Sequence, residues 1–373
     1  MKETSKSPPD LKPSDELSAM RRALLAWYDD GGRTLPWRVR PEDRAKGITP
    51  DPYAVWLSEI MLQQTTVPHA TPYWRKFLAR FPTVTDLAQA DRDEVLAMWA
   101  GLGYYARARN LHKCAGVVAD DHDGVFPLTE TALLKLPGIG AYTAATIAAI
   151  CHDEATTIVD GNVERVISRI FMVQTPLPKG KSDLRALAAA LSDPTLDGFE
   201  RPGDYGQAVM DLGATVCTPR SPTCGLCPWS GDCAAKAAGV QTDYPKKTPK
   251  KKLPVRHGAA FVLRSGDAVL LHRRPDTGLL GGMMGFPGTE WGPKPKDDVI
   301  RAAEPTPRNW EQSAVEVRHV FTHFELRLSV FHSEIAAELR GEATGDVAIW
   351  APLDRIKDYA LPTVMTKVLK AAH

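Results

Sequence analysis

Apolar residues return every three or four positions from Leu17 to about Cys233, the spacing of helices that each bury one face. The clearest begins at Asp51-Pro52, a capping carboxylate and a first-turn proline, after which Tyr53, Trp56, Leu57, Ile60 and Met61 recur at helical intervals. Leu87 to Trp99, Thr129 to Leu136, Ala141 to Ile150 and Val163 to Phe171 predict further helices, and no strand alternation interrupts them. Past Arg256 the texture changes. His257 to Leu263, Ala268 to His272, Arg318 to Phe331 and Ala348 to Ala351 are short β-like runs between Gly and Pro turns. The pattern predicts a mainly α domain followed by an α+β domain.

Two stretches lack an apolar face. Met1 to Ser14 reads as a frayed polar arm, and the Pro- and Lys-rich run from Lys246 to Arg256 as a stiff, solvated linker able to lie along phosphates. The expected organisation is an arm over 1–16, a helical domain over 17–235, a linker over 236–256 and a second domain over 257–373. A length of 373 residues agrees with two domains. Composition, 43% hydrophobic and 24% charged, is that of a globular protein in water. No apolar run approaches the roughly 20 residues of a membrane span, and the arm lacks a signal-peptide core. The expectation is a cytoplasmic protein with no membrane partner. A net charge of +1 gives no sign of a polyanion, so any nucleic-acid surface must be local.

Without an export signal, six cysteines argue for metal rather than disulfides. Cys217, Cys224, Cys227 and Cys233 stand as C-x6-C-x2-C-x5-C, a loop able to fold four thiolates around one centre. Tetrahedral zinc is one occupant, but zinc modules usually pair two short knuckles across a longer gap. Three unequal short spacings lean toward iron–sulfur. Cys114 and Cys151 sit in apolar helical contexts and read as small buried hydrophobes.

Leu136-Pro137-Gly138-Ile139-Gly140 separates two helical segments, and its glycines allow the close backbone approach that an anion at a helix N-terminus needs. Many helical hairpins turn on glycine for steric reasons alone, so the motif is weak by itself. Downstream, Val159-Asp160-Gly161-Asn162-Val163 puts a carboxylate at the mouth of an amphipathic helix whose Val163, Val166, Ile167 and Ile170 face inward. Such an Asp is usually only a cap. The following Gly161 favours a sharp turn that aims it into a groove, where the helix N-terminus keeps it ionised. On the helix after Asp51, Glu59 shares a stripe with Val55 and Leu62, flanked by Trp56 and Ile60. Apolar neighbours should raise its pKa and make it an acid at neutral pH.

Taken together, the hairpin LPGIGAYTAATI (about 129–150 with its helices), the loop VDGN and the four-cysteine loop over 217–233 resemble the endonuclease III superfamily of helix-hairpin-helix DNA glycosylases. LPWR (Leu35 to Arg38), WLSEIMLQQT (Trp56 to Thr65), GLGYYARARNL (Gly101 to Leu111) and FTH (Phe321 to His323) resemble the adenine-DNA glycosylase, or MutY, branch. The resemblance implies a base-excision-repair hydrolase that removes adenine mispaired with 8-oxoguanine or guanine in double-stranded DNA. It also implies a [4Fe–4S] cluster on the four cysteines and a nucleoid-associated monomer. Lyase members carry a lysine on the helix after the hairpin; Tyr142 stands there, and a phenol forms no imine, so the implied enzyme is monofunctional.

The resemblance further assigns roles. Glu59 protonates the flipped adenine and then activates water, while Asp160 stabilises the oxocarbenium-like sugar, a division of labour like that of sugar hydrolases. Asn162 and Tyr142 orient Asp160; Leu35, Trp37, Arg38 and Gln207 surround the extruded base; Gln64 and Tyr104 wedge into the gap it leaves. Gly138, Ile139 and Gly140 hold a DNA phosphate. The C-terminal domain resembles the Nudix fold without the glutamate-dense helix of true Nudix hydrolases, which implies recognition rather than hydrolysis. There Phe321, Thr322 and His323 probe the 8-oxoguanine; the family usually has serine at the position of Thr322. Competing readings are a pyrimidine-mismatch glycosylase of the same superfamily, a non-catalytic iron–sulfur DNA-binding protein with both carboxylates as caps, and a nucleotide-pool hydrolase.

Overall fold

The computed structural model describes residues 11–197, 200–249, 252–343, 348–359 and 361–372. Two units form: one from the chain through Ala88 with Lys113–Pro249, the other from Gln89–His112 with Lys250–His373. Most of the expected arm, residues 1–10, lies outside the described residues, as do positions 250 and 251 of the expected linker. The first helix, Ser14–Gly31, starts within the stretch expected as arm because Leu17, Met20, Leu24 and Tyr28 need one buried face.

Four of the described helices of the first unit carry the site. Pro52–Leu62 starts where Asp51 accepts from Tyr53 N, and residues Val55 to Met61 are all buried. Against it packs Ala141–His152, whose small side chains Ala144, Ala145, Ala148 and Ala149 allow close approach. Pro202–Asp211, buried along its whole length, packs on that helix in turn and continues into a π-helical turn, Leu212–Val216. Gly161–Ile170 crosses nearby with Val163, Val166, Ile167 and Ile170 inward, as the sequence pattern predicts. The run from Leu87 to Trp99 is not one helix. It breaks into Val84–Gln89 and Arg92–Met98 because Asp91 turns its carboxylate onto Asp93 N and Glu94 N and starts a new cap.

Among the described residues the second unit is built on a seven-stranded sheet: β1 (Val255–Ser265), β2 (Ala268–Arg273), β3 (Met284–Gly285), β4 (Glu311–Gln312), β5 (Val317–Val320), β6 (Glu325–Glu334) and β7 (Ala348–Pro352). The long pair β1 and β6 is parallel from Val255↔Glu325 to Arg264↔Glu334; the other pairs are antiparallel. Alternation sorts β1 to two faces. Ala260 and Val262 join a core with Leu326, Leu328, Val364 and Val368 under the helix Thr363–Ala371, while Leu263 joins Leu270 and Ile335. The run Arg318 to Phe331, read as one strand, is a hairpin of β5 and β6, closed where Phe321 N donates to Phe324 O at 2.9 Å. Sequence periodicity passed over that turn because Phe321 and Phe324 are apolar. The two-residue strands β3 and β4 are too short for any periodic signal.

Candidate active site

Glu59 and Tyr142 meet across the packed helices Pro52–Leu62 and Ala141–His152. The phenol donates to Glu59 Oε2 at 2.8 Å and also reaches Met210 Sδ at 3.4 Å. Glu59 is 7% exposed. Burial pushes its carboxyl up to about 7, against the Tyr142 hydrogen bond and the Arg38 charge, which pull it down, and with Asp160, which adds to the rise. The apolar stripe therefore yields a carboxyl that holds a proton near neutrality. Tyr142 differs from its expected place: its hydrogen bond goes to Glu59 rather than to Asp160, because it enters from the second position of its helix, facing the Glu59 stripe.

Asp160 caps its helix and also lines the cavity. Its Oδ1 accepts from Asn162 N and Val163 N at 2.9 and 2.7 Å, and its Oδ2 from Asn162 Nδ2 at 2.9 Å. Burial raises its pKa, and those hydrogen bonds oppose the rise without cancelling it. Desolvation in the cavity thus outweighs the cap in setting the direction of its pKa. A residue not anticipated from sequence, Arg165, extends the chain of contacts. Its Nη2 donates to Asn162 Oδ1 and Gly213 O, and its Nε to Cys217 O at 2.8 Å. Gly213 is required here, since a Cβ on it would lie 2.6 Å from Asn162 Cβ.

Both carboxylates line one cavity of about 360 Å³, within the range of small-ligand sites. Leu35, Trp37, Arg38, Gln64, Tyr142, Asn162 and Gln207 line it too, so residues far apart in sequence converge on one cavity. Trp37 is held edge-on by Trp74, with centroids 5.6 Å apart. Gln207 is buried, donates to Gly203 O and leaves its Oε1 unpartnered. Sequence reading missed Arg33, which also lines the cavity, and Asp211 behind it. One turn after Gln207, the fully buried Asp211 accepts from Arg33 Nε (2.6 Å), Arg33 N (2.8 Å) and Arg38 Nη1 (2.8 Å). The signal lay in the four-residue spacing of Gln207 and Asp211, which puts both on one face of a helix.

At the hairpin, Gly138 takes φ +75, and exposed Gly138 and Gly140 flank a buried Ile139. Gly140 caps the helix Ala141–His152 without a side-chain hydrogen bond, so N–H groups of its first turn lie beside the glycine turn with no intrahelical acceptor. Further along, Cys217, Cys224, Cys227 and Cys233 line one small, apolar cavity. The buried Arg169 donates to Cys217 Sγ at 3.2 Å as well as to the Cys217 and Thr218 carbonyls. Among the described residues no three such side chains converge tightly enough for a single metal ion. The donor set of four thiols around a shared cavity fits a cluster. Cys114 is buried as expected, and Cys151 is half-buried.

In the second unit, Phe321, Thr322 and His323 occupy the β5–β6 turn, with Thr322 and His323 exposed. Phe321 is braced on both sides: Trp291 stacks at 5.8 Å, Phe324 lies at 4.9 Å, and Arg274 covers Trp291 at 4.8 Å. Tyr104 is 54% exposed at φ 49, and in the first unit Gln64 is exposed at φ 61. Both expected wedge residues therefore hold a left-handed backbone, rare for side-chain-bearing residues and typical of functional loops.

The helical bundle, glycine hairpin and buried carboxyl pair define a class, the base-excision glycosylase fold. A family model for HhH-GPD superfamily base excision DNA repair proteins matches residues 57–190, one for the iron–sulfur binding domain of endonuclease III matches 217–233, and one for the NUDIX domain matches 259–371. The chain is 34% identical to the adenine DNA glycosylase of Homo sapiens over 95% of its own length and 74% of that protein. It is 43% identical to that of Mycolicibacterium smegmatis over 58% of its length and 69% of the relative. The solved structure of a thermostable thymine-DNA glycosylase, 27% identical, covers 61% of this chain and all of that one with a TM-score of 0.52. The chain belongs to the adenine DNA glycosylase family. As a member of a DNA-repair glycosylase family it is a DNA-binding protein with an iron–sulfur binding domain, and no described helix is long and apolar enough to cross a membrane.

Proposed function

We propose that this chain hydrolyses the N-glycosidic bond of adenine mispaired with 8-oxoguanine, or with guanine, in double-stranded DNA and leaves the backbone uncut. The observation that carries the reading is that Glu59, whose carboxyl burial pushes up to about 7, shares one cavity of about 360 Å³ with Asp160. The flipped base enters between Leu35, Trp37, Arg38 and Gln207. Glu59 gives its proton to a ring nitrogen as the glycosidic electron pair leaves with the base. Asp160, held by Asn162 and the helix N-terminus, stabilises the cationic sugar. The Glu59 carboxylate then takes a proton from the water that adds to the anomeric carbon, which restores the acid. Tyr142 in place of a lysine supports release without Schiff-base cleavage.

Residues 17–235 would excise the base, with Gly138, Ile139 and Gly140 on a phosphate and Gln64 and Tyr104 in the vacated stack. Residues 257–373 would read the opposite base through Phe321, Thr322 and His323, with 236–256 as the link. Cys217, Cys224, Cys227 and Cys233 would hold a [4Fe–4S] cluster, which supplies a rigid loop and no step of the reaction. A single chain carries every residue of the site, in keeping with a working monomer. The likeness to a thymine-DNA glycosylase makes thymine the proper rival base. The test is release of adenine from a duplex with one 8-oxoguanine·adenine pair, beside one with guanine·thymine, by wild type and Asp160→Asn, with nicks scored before and after alkali. Adenine release by wild type only, with nicks only after alkali, is expected; thymine release, or none by cluster-loaded protein, would overturn the reading.

A further inference from the structure

We infer that Asp211 is a positioning residue, whose buried carboxylate sets the orientation and effective charge of Arg38 against Glu59 and holds Arg33 at the rim of the same cavity. The inference rests on the glycosylase reading of that cavity and names a residue which that reading leaves out.

The geometry is that of a built support. Asp211 is fully buried at the end of Pro202–Asp211, immediately before the π-helical turn, a local widening that is frequent at functional sites. Each carboxylate oxygen is used: Oδ1 by Arg33 Nε, Oδ2 by Arg33 N and Arg38 Nη1. Arg33 is thereby gripped by backbone and side chain together, which fixes the start of the Leu35–Arg38 wall. The Arg38 side chain is 5% exposed, and besides Asp211 it donates to Arg33 O at a long 3.4 Å. Its remaining N–H groups belong to a residue that lines the cavity and are available to an extruded base.

Charge gives Asp211 its reach. A buried guanidinium is tolerated only when paired, and Asp211 supplies the pair. Burial would raise the Asp211 carboxyl, but Arg38 and Arg33 outweigh it and hold it below the ordinary carboxylate range, so it stays ionised. Arg38 also faces Tyr28 and Glu59. Glu59 in turn faces Tyr142 and Cys151 from the helix Ala141–His152, Asp160 from the mouth of the next helix, and Arg38. Arg38 is the cation among these groups, and Asp211 is its hydrogen-bonded counter-charge. With Asp211 neutral, the full Arg38 charge would act on Glu59, favour its ionised form and deplete the acid that the reaction needs.

The experiment compares wild type, Asp211→Asn and Arg38→Gln in single-turnover adenine release across pH, with rates referred to cluster-loaded protein. Wild type should lose rate as pH rises through Glu59's titration. Asp211→Asn should move that alkaline limb to lower pH, with the rate at pH 8 down by about tenfold or more, the factor that one unit of displacement produces. Arg38→Gln should move it to higher pH. A limb unmoved, or moved upward, in Asp211→Asn overturns the inference and shows Asp211 to be structural only. Should Asp211→Asn fail to fold, Arg38→Gln decides: an upward limb supports the relay and an unmoved one overturns it. An inactive wild type would instead overturn the glycosylase reading itself, so the two failures are distinct.

Discussion

The Tyr142 phenol donates to Glu59 Oε2 at 2.8 Å, so a helix that begins at the glycine hairpin also sets the protonation of a carboxyl on its neighbour. That bond stabilises the ionised carboxylate and pulls the Glu59 pKa down toward 7 from where burial alone would leave it. Tyr142→Phe removes the donor and should raise it. Because the protonated form is the active one, the alkaline limb of the base-release profile should move to higher pH. A pH series on the purified variant checks this; a limb that moves down would exclude the assigned direction of the bond.

Glu59→Gln keeps shape and removes the proton source. Base release should fall by roughly 10²–10⁴-fold, the typical contribution of a positioned acid. The alkaline limb should vanish with it, while affinity for the mispaired duplex stays within a few-fold. Rate and gel-shift titrations on one preparation separate these effects.

Gly213→Ala should harm catalysis through Asn162. The new Cβ would stand 2.6 Å from Asn162 Cβ, and relief requires moving a residue that holds Asp160. Overpacking of this kind costs about 1–3 kcal/mol in stability. The expected result is a lower melting temperature and a reduced rate with the Glu59 limb in place, since the perturbation falls on the other carboxylate.

Arg165→Met should strike the site and the cysteine loop together. It removes charged hydrogen bonds to Asn162 Oδ1, Gly213 O and Cys217 O, each worth about 1.5–3 kcal/mol. Iron content per chain and base-release rate should both drop. Full iron loading with a wild-type rate would show the link to be idle.

Trp291→Ala withdraws the ring stacked on Phe321 and leaves Arg274 without its partner surface. The β5–β6 turn should lose its fixed pose while the first unit keeps its chemistry. Preference for an 8-oxoguanine·adenine over a guanine·adenine duplex should narrow, with the single-turnover rate on saturating duplex little changed.

Local chemistry was legible in the chain. Helical periodicity marked the Glu59 stripe and the inward face of Gly161–Ile170, cysteine spacing marked the loop, and glycines marked the hairpin, because each rests on residues near one another in sequence. Turns hidden in apolar runs, as at Phe321 to Phe324, and a break set by one capping carboxylate, Asp91, escaped the same rules. Tertiary packing alone decided the rest. It turned Tyr142 to Glu59 instead of Asp160, let desolvation outweigh the cap at Asp160, and joined Asp211 to Arg33 and Arg38 from the far end of the domain. Desolvation and buried charge pairing depend on what surrounds a group from every side, and a linear pattern records only the neighbours along its own element.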